Sequence, residues 1–107
     1  MNSTFSLADN LKTRIADSSA HVATIGLGYV GLPLALTVHE CGFQVTGVDL
    51  NPDRVAAING GGQVISYLAE DRIASAVGTG RFAASDDFAV IRGTDIILIC
   101  VPTPVDA

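Results

Sequence analysis

Three glycines, Gly26, Gly28 and Gly31, and one carboxylate, Asp49, are the residues of this sequence whose type and spacing could do chemistry. The glycines fit G-x-G-x-x-G and follow the short, largely β-branched run Val22-Ala23-Thr24-Ile25. A buried strand that turns through such glycines into a helix can hold a pyrophosphate. The first glycine allows the tight turn, the second lets backbone approach the phosphates, and the third lets the helix close on the strand. The first N–H groups of that helix and the positive end of its dipole supply the anion site. Spacing alone is weak evidence, because 11 of the 107 residues are glycine. A second apolar run, Phe43-Gln44-Val45-Thr46-Gly47-Val48, adds weight by ending in Asp49. An acid at the tip of the second strand, about 20 residues past the glycines, is where a ribose 2′-hydroxyl is held. The alternative is a glycine-rich turn in some other α/β protein.

Other reactive side chains read as structural. Cys41 and Cys100 lie far apart and lack metal-ligand spacing. Cys41 is expected to end a helix and Cys100 to sit inside a buried strand, both as small core hydrophobes. His21 and His39 have no second ligand at metal spacing, so no metal site is expected.

The elements that must position the glycines and the acid follow from local signals. A strand is expected over His21 to Ile25, then a helix from Tyr29 to Cys41 stopped by Gly42. Pro33 fits only the first turn of that helix, where its missing N–H costs nothing. At 100° per residue Val30, Leu34, Val38 and Cys41 form a stripe expected to meet the sheet. Leu32 and Leu36 form a second stripe, to be covered by the leader, a neighbouring chain or a further domain. Asn51-Pro52 opens the next helix, which ends at Gly60-Gly61-Gly62. A third helix is expected over Leu68 to Val77, a short strand over Arg81 to Ser85, and a brief helix or turn over Asp86 to Arg92. The run Asp95 to Val101 is continuously apolar after its first residue and reads as a strand buried on both faces. The order β-α-β-α-α-β-(α)-β predicts an α/β, Rossmann-like fold, a parallel sheet with helices on both faces. Its carboxyl edge would gather three loops: Gly26 to Gly31, Asp49 to Arg54, and Val101, Pro102 and Thr103.

The whole chain sets bounds. At 107 residues it is one domain at most, and short for a complete dinucleotide fold. Residues 1–20 read as a leader, either a short helix from Leu7 to Ala16 with a Ser6–Asp9 capping box or a frayed tail. Residues 21–107 read as a partial dinucleotide-binding domain, cut after its fourth strand. Hydrophobic residues make up 49% and charged ones 16%, a globular balance. The formal net charge of −5 argues against nucleic acid or an anionic membrane surface as partner. No long apolar run and no basic-then-apolar amino terminus occur, so no membrane span or secretory signal is expected, and the default compartment is the cytoplasm. An edge left open beside Asp95 to Val101 predicts self-association, hence a homo-oligomer.

Ile25-Gly26-Leu27-Gly28-Tyr29-Val30-Gly31-Leu32-Pro33-Leu34-Ala35, Gly47-Val48-Asp49 and Val101-Pro102-Thr103-Pro104 together resemble the amino-terminal domain of UDP-sugar 6-dehydrogenases. The family includes UDP-glucose, UDP-N-acetylglucosamine and UDP-N-acetylmannosamine enzymes, and the likeness covers residues 20–106. Ser66-Tyr67-Leu68 and Arg81 to Asp86 resemble the branch acting on N-acetylated sugars. The glycines at 60–62 with Gln63-Val64 lengthen the loop before Ser66, and the acid usual after the Ser-Tyr pair is shifted to Glu70. The resemblance implies NAD as cofactor, with Tyr29 and Val30 beside the pyrophosphate and Asp49 on the adenosine ribose. It further implies Arg54 flanking the adenine end and Thr103 near the nicotinamide. The implied reaction, in polysaccharide biosynthesis, takes the primary alcohol of a UDP-sugar to a carboxylate through a cysteine-bound intermediate, consuming two NAD. The family's cysteine belongs to a later domain, and neither Cys41 nor Cys100 matches it. This chain alone is therefore expected to be inactive and to meet the UDP-sugar only through further domains. Two other readings compete: a β-hydroxyacid dehydrogenase cofactor domain, and a non-catalytic module that binds nucleotide or protein.

Overall fold

A computed structural model of the chain describes residues 6–62 and 70–100. Four strands, β1 (His21–Ile25), β2 (Gln44–Val48), β3 (Phe82–Ser85) and β4 (Ile96–Ile99), pair in parallel in the order β3-β2-β1-β4. The register aligns Val22 with Val45 and Ile96, and Val45 with Phe82. Because side chains alternate along a strand, these residues share one face with Thr24, Gly47, Ala84 and Leu98.

The helices are α1 (Leu7–Ala16), α2 (Gly31–Glu40), α3 (Pro52–Asn59) and α4 (Glu70–Gly78). Leu32, Ala35 and Leu36 of α2, Ile58 of α3, and Ile73 and Ala76 of α4 form one buried core with Val22, Val45, Phe82 and Ala84. Winding from β1 through β2 to β3 in one direction, with one hand of crossover, lays the connecting helices on the same face. The return to β4 then crosses the other face. That crossing is a 3-10 segment, Phe88–Gly93, capped by Asp87. Among the described residues helical cover is thus unequal: α2, α3 and α4 on one side, and on the other a short segment whose Phe88 lines a groove with Ile25 and Val48.

The position of α2 corrects the expected stripe. Its buried residues are Gly31, Leu32, Ala35 and Leu36, whereas Val30, Leu34 and Cys41 are exposed. The cause is Gly31, where a Cβ would fall 1.7 Å from the Gly26 carbonyl oxygen. Contact at Gly31 fixes the rotation of the helix, so Ala35, one turn on, and Leu32 and Leu36 beside it face the sheet. The sheet itself covers the stripe for which the leader or a further domain seemed necessary. Pro33 falls in the first turn, between the Leu32 N–H on Gly28 O and the Leu34 N–H on Val30 O, both at 3.2 Å.

Strand β4 also departs from expectation. It is not buried on both faces: Ile97 is exposed, Ile99 is 72% exposed, and Ile96 and Leu98 are half-buried against the core. A continuous apolar run usually marks a strand covered on both faces. Among the described strands this one lies at the edge, in line with the open edge expected beside Asp95 to Val101, but one of its faces is left uncovered. Cys100, expected within that strand, is half-buried just past its end, and Cys41 caps α2 in the open instead of joining the core.

In the leader, Ser6 Oγ accepts the Asp9 N–H at 3.1 Å, and Asp9 Oδ2 accepts the Ser6 N–H at 3.4 Å. None of its helical residues is buried, and Leu7 is 92% exposed. Instead of its apolar stripe, α1 uses Arg14, which pairs with Asp95 at the foot of β4 and donates to Ser19 O.

Candidate cofactor site

The glycine turn is assembled by backbone geometry. Gly26 has φ of +97°, a left-handed conformation that favours glycine, and its N–H donates to Val48 O at 2.8 Å. The turn therefore crosses from the end of β1 toward the end of β2. No atom of the described residues lies within 4 Å of the position of a Cβ on Gly28. Among the described residues, Val30 caps α2 without a side-chain hydrogen bond of its own. Tyr29 is 81% exposed and Val30 is exposed beside it.

Asp49 joins this turn to β2. Its Oδ2 accepts the Leu27 N–H at 2.8 Å, its Oδ1 accepts the Asn51 N–H at 2.9 Å, and Arg54 Nη1 lies 3.3 Å from Oδ2. Burial pushes this carboxyl up, but the Asn51 and Leu27 N–H groups and the Arg54 charge outweigh it and hold the group below the usual aspartate value. Asn51 then starts α3 by accepting the N–H groups of Asp53 and Arg54, which sets Arg54 in the first helical turn.

A groove of about 220 Å³ runs along this edge, lined by Ile25, Gly26, Val48, Asp49, Leu50, Arg54 and Phe88. Its apolar floor with two charges at the rim suits a flat base joined to a polar ribose. Leu50 and Phe88 were not among the residues marked by the sequence. Leu50 could have been found as a hydrophobe directly after the strand-tip acid. Phe88 reaches the groove through the β3–β4 crossing, which no local signal reports. A larger cavity of about 590 Å³ lies at the amino ends of the strands, by His39, Glu40, Arg72 and Arg81. Several of its polar groups are already engaged, Arg72 with Glu40, His39 with Thr79 and Arg81 with Gly42 O.

The structure thus gathers Gly26, Gly28, Tyr29, Val30, Gly31, Asp49 and Arg54 at the carboxyl edge of the sheet. Val101, Pro102 and Thr103, with Pro104 and the Ser66-Tyr67-Leu68 stretch, lie outside the described residues. Cys100 N–H on Ile25 O, at 2.7 Å, carries the β4 ladder up to the glycine turn, and the Cys100 Cβ would lie 3.2 Å from a Cβ on Gly31. Among the described residues, no group of three or more His, Cys, Asp or Glu could hold a metal. Nor is any helix among them long and apolar enough to cross a membrane.

The sequence model of the UDP-glucose/GDP-mannose dehydrogenase family, NAD binding domain, matches residues 20–107. The chain belongs to this family. It is 31% identical over 84 residues to a UDP-N-acetyl-D-mannosamine dehydrogenase of Pyrococcus horikoshii, covering 78% of this chain and 20% of that protein. It is 35% identical over 85 residues to a GDP-mannose 6-dehydrogenase of Pseudomonas syringae, covering 78% and 19%. Among solved structures, a ternary complex of GDP-mannose dehydrogenase from Pseudomonas aeruginosa superposes with a TM-score of 0.72 at 31% identity, over 79% of this chain and 20% of that one. The chain spans about a fifth of the length of the curated relatives it matches. The closed contact at Gly31 and the strand-tip carboxylate fit the cofactor that this family binds.

Proposed function

We propose that this chain is the part of a nucleotide-sugar dehydrogenase that holds NAD along the groove from the glycine turn to Arg54. The parent enzyme would oxidise the primary alcohol of a UDP-sugar, of the N-acetylhexosamine class, to a carboxylate. Bound NAD supplies the hydride acceptor. The chain's own residues bind and orient it: the Gly26–Gly31 turn and the start of α2 receive the pyrophosphate, beside Tyr29 and Val30. Asp49 accepts hydrogen bonds from the adenosine ribose diol, Arg54 and Phe88 flank the adenine, and Val101, Pro102 and Thr103 are assigned to the cofactor by family resemblance, Thr103 to its nicotinamide side. The observation that carries this reading is the Asp49 carboxylate joined to the Leu27 N–H of the glycine turn. The cysteine chemistry and the sugar site are assigned to the remainder of the parent.

The UDP-N-acetyl-D-mannosamine relative supports the UDP-sugar reading. The GDP-mannose relatives, at up to 35% identity, support a GDP-sugar as the second reading. Turnover of each nucleotide sugar by the full-length enzyme separates the two. The same proposal places the parent in the cytoplasm, whose reducing conditions agree with Cys41 and Cys100 being free. It also makes the parent a homo-oligomer.

Calorimetric titration of NAD and NADP into the chain tests the cofactor assignment. A carboxylate at Asp49 accepts from a diol and repels a 2′-phosphate, so NAD is expected to bind more tightly. NADP binding as tight as NAD or tighter would overturn the role of Asp49.

A further inference from the structure

We propose that Arg54 is a latent 2′-phosphate receptor which Asp49 neutralises, so that one carboxylate both selects the ribose diol and silences a cation built beside it. The inference rests on the cofactor assignment above and goes beyond it by giving Arg54 a part in specificity.

The two partners of the pair are held very differently. Asp49 is fixed by backbone, through the Leu27 N–H at 2.8 Å and the Asn51 N–H at 2.9 Å, and its side chain is only 11% exposed. Arg54 reaches it with one nitrogen at 3.3 Å, and its side chain is 40% exposed. A charge-assisted contact is normally shorter, about 2.7–2.9 Å, and an arginine–carboxylate pair is often two-pronged. Here the contact is long and single, so the guanidinium is the movable partner. Among the described residues this is the one ion pair Arg54 makes; Asp53, in the same helical turn, is not paired with it. Most of the five guanidinium donors are therefore left for a ligand.

Position completes the argument. The backbone of Arg54 is pinned by its N–H to Asn51 Oδ1, so the stem of the side chain starts from a fixed point in the first turn of α3. Its head lines the same groove as Asp49, Leu50 and Phe88. A ribose hydrogen-bonded to Asp49 would carry its 2′-substituent at the carboxylate, where the guanidinium already sits. With a hydroxyl there, Asp49 accepts and Arg54 stays neutralised. With a phosphate there, the carboxylate repels the group and withholds the cation that would receive it. Removing the charge at residue 49 lifts both obstacles at once.

Calorimetry on the 107-residue chain with adenosine 5′-monophosphate and adenosine 2′,5′-bisphosphate probes this end of the site alone. The wild type is expected to favour the monophosphate. Asp49→Asn and Asp49→Ser are each expected to tighten the bisphosphate by about tenfold or more, the size of a charge-assisted hydrogen bond. Adding Arg54→Gln should remove most of that gain while changing the monophosphate far less. A gain that persists without Arg54 would assign the effect to lost repulsion alone and overturn the proposal. So would an Asp49 variant that binds the monophosphate and gains nothing for the bisphosphate. Failure of the cofactor assignment looks different, since the wild type would then bind neither NAD nor the monophosphate.

Discussion

Thr24, the fourth of the five residues of β1, is fully buried, and its Oγ1 has no hydrogen-bond partner among the described residues. Its neighbours in register are Gly47 and Leu98, neither with a side chain able to answer a hydroxyl. Leaving a buried hydroxyl unsatisfied costs about 1–3 kcal/mol. Thr24→Val keeps the branched shape that suits a strand and removes that cost, so it is expected to raise unfolding stability by about 1 kcal/mol. Urea denaturation of both chains measures it. A destabilised variant would mean that the hydroxyl serves a partner, and the expectation would fail. Gly31 is the opposite kind of residue. Its spacing marked a close approach of helix to strand, and the 1.7 Å clash that a Cβ would make with Gly26 O is that approach in atomic terms.

Elements whose start and stop are written locally were readable from the sequence. The Asn51-Pro52 cap, the Ser6–Asp9 box and the β-branched run before Gly26 each act within a few residues. The rotation of α2 was not readable, because both of its stripes are apolar and only contact at Gly31 selects one. The exposure of β4 was hidden for a related reason. The open edge was expected, but an apolar run does not report how much helix covers each face, and the β3–β4 crossing supplies only the short segment Phe88–Gly93. At the site, Asp49 and the glycines were legible and Phe88 was not, since it arrives from the far side of the sheet. The leader helix gives a prediction at this scale. Its tie to the sheet is polar: Arg14, 38% exposed, pairs with Asp95, which also accepts the His21 N–H at 2.8 Å. A pair this open is worth about 0–1 kcal/mol. Arg14→Gln is therefore expected to speed amide exchange in α1 while leaving the core strands protected. Equal loss of protection in β1 and β2 would show that α1 is part of the core after all.

At the scale of the whole molecule, the feature that dominates is the side of β4 that no described strand pairs. Among the described strands it pairs with β1 alone, through Ile96–Ile99 aligned on Val22–Ile25. Natural edges are blunted by charge, proline or a bulge, and Ile96, Ile97, Leu98 and Ile99 carry no charge. Ile97 and Ile99 stand in solvent on the face that the three core helices leave uncovered. Burying such a side chain fully is worth about 1.5–3 kcal/mol, a sizeable share of the roughly 5–15 kcal/mol that holds a domain folded. Two copies of the 107-residue chain related by a twofold axis could pair β4 with β4, which would satisfy both rows of backbone groups and cover both isoleucines. The chain is thus expected to self-associate, with an average mass that rises with concentration in size-exclusion chromatography with light scattering. Ile97→Lys places a charge on the pairing surface and is expected to return the chain to a monomer without unfolding it. Association unchanged by that substitution would put the interface elsewhere. A wild-type chain that stays monomeric at every concentration, with β4 amides exchanging quickly, would mean that this edge tolerates water and that the exposed isoleucines drive no pairing.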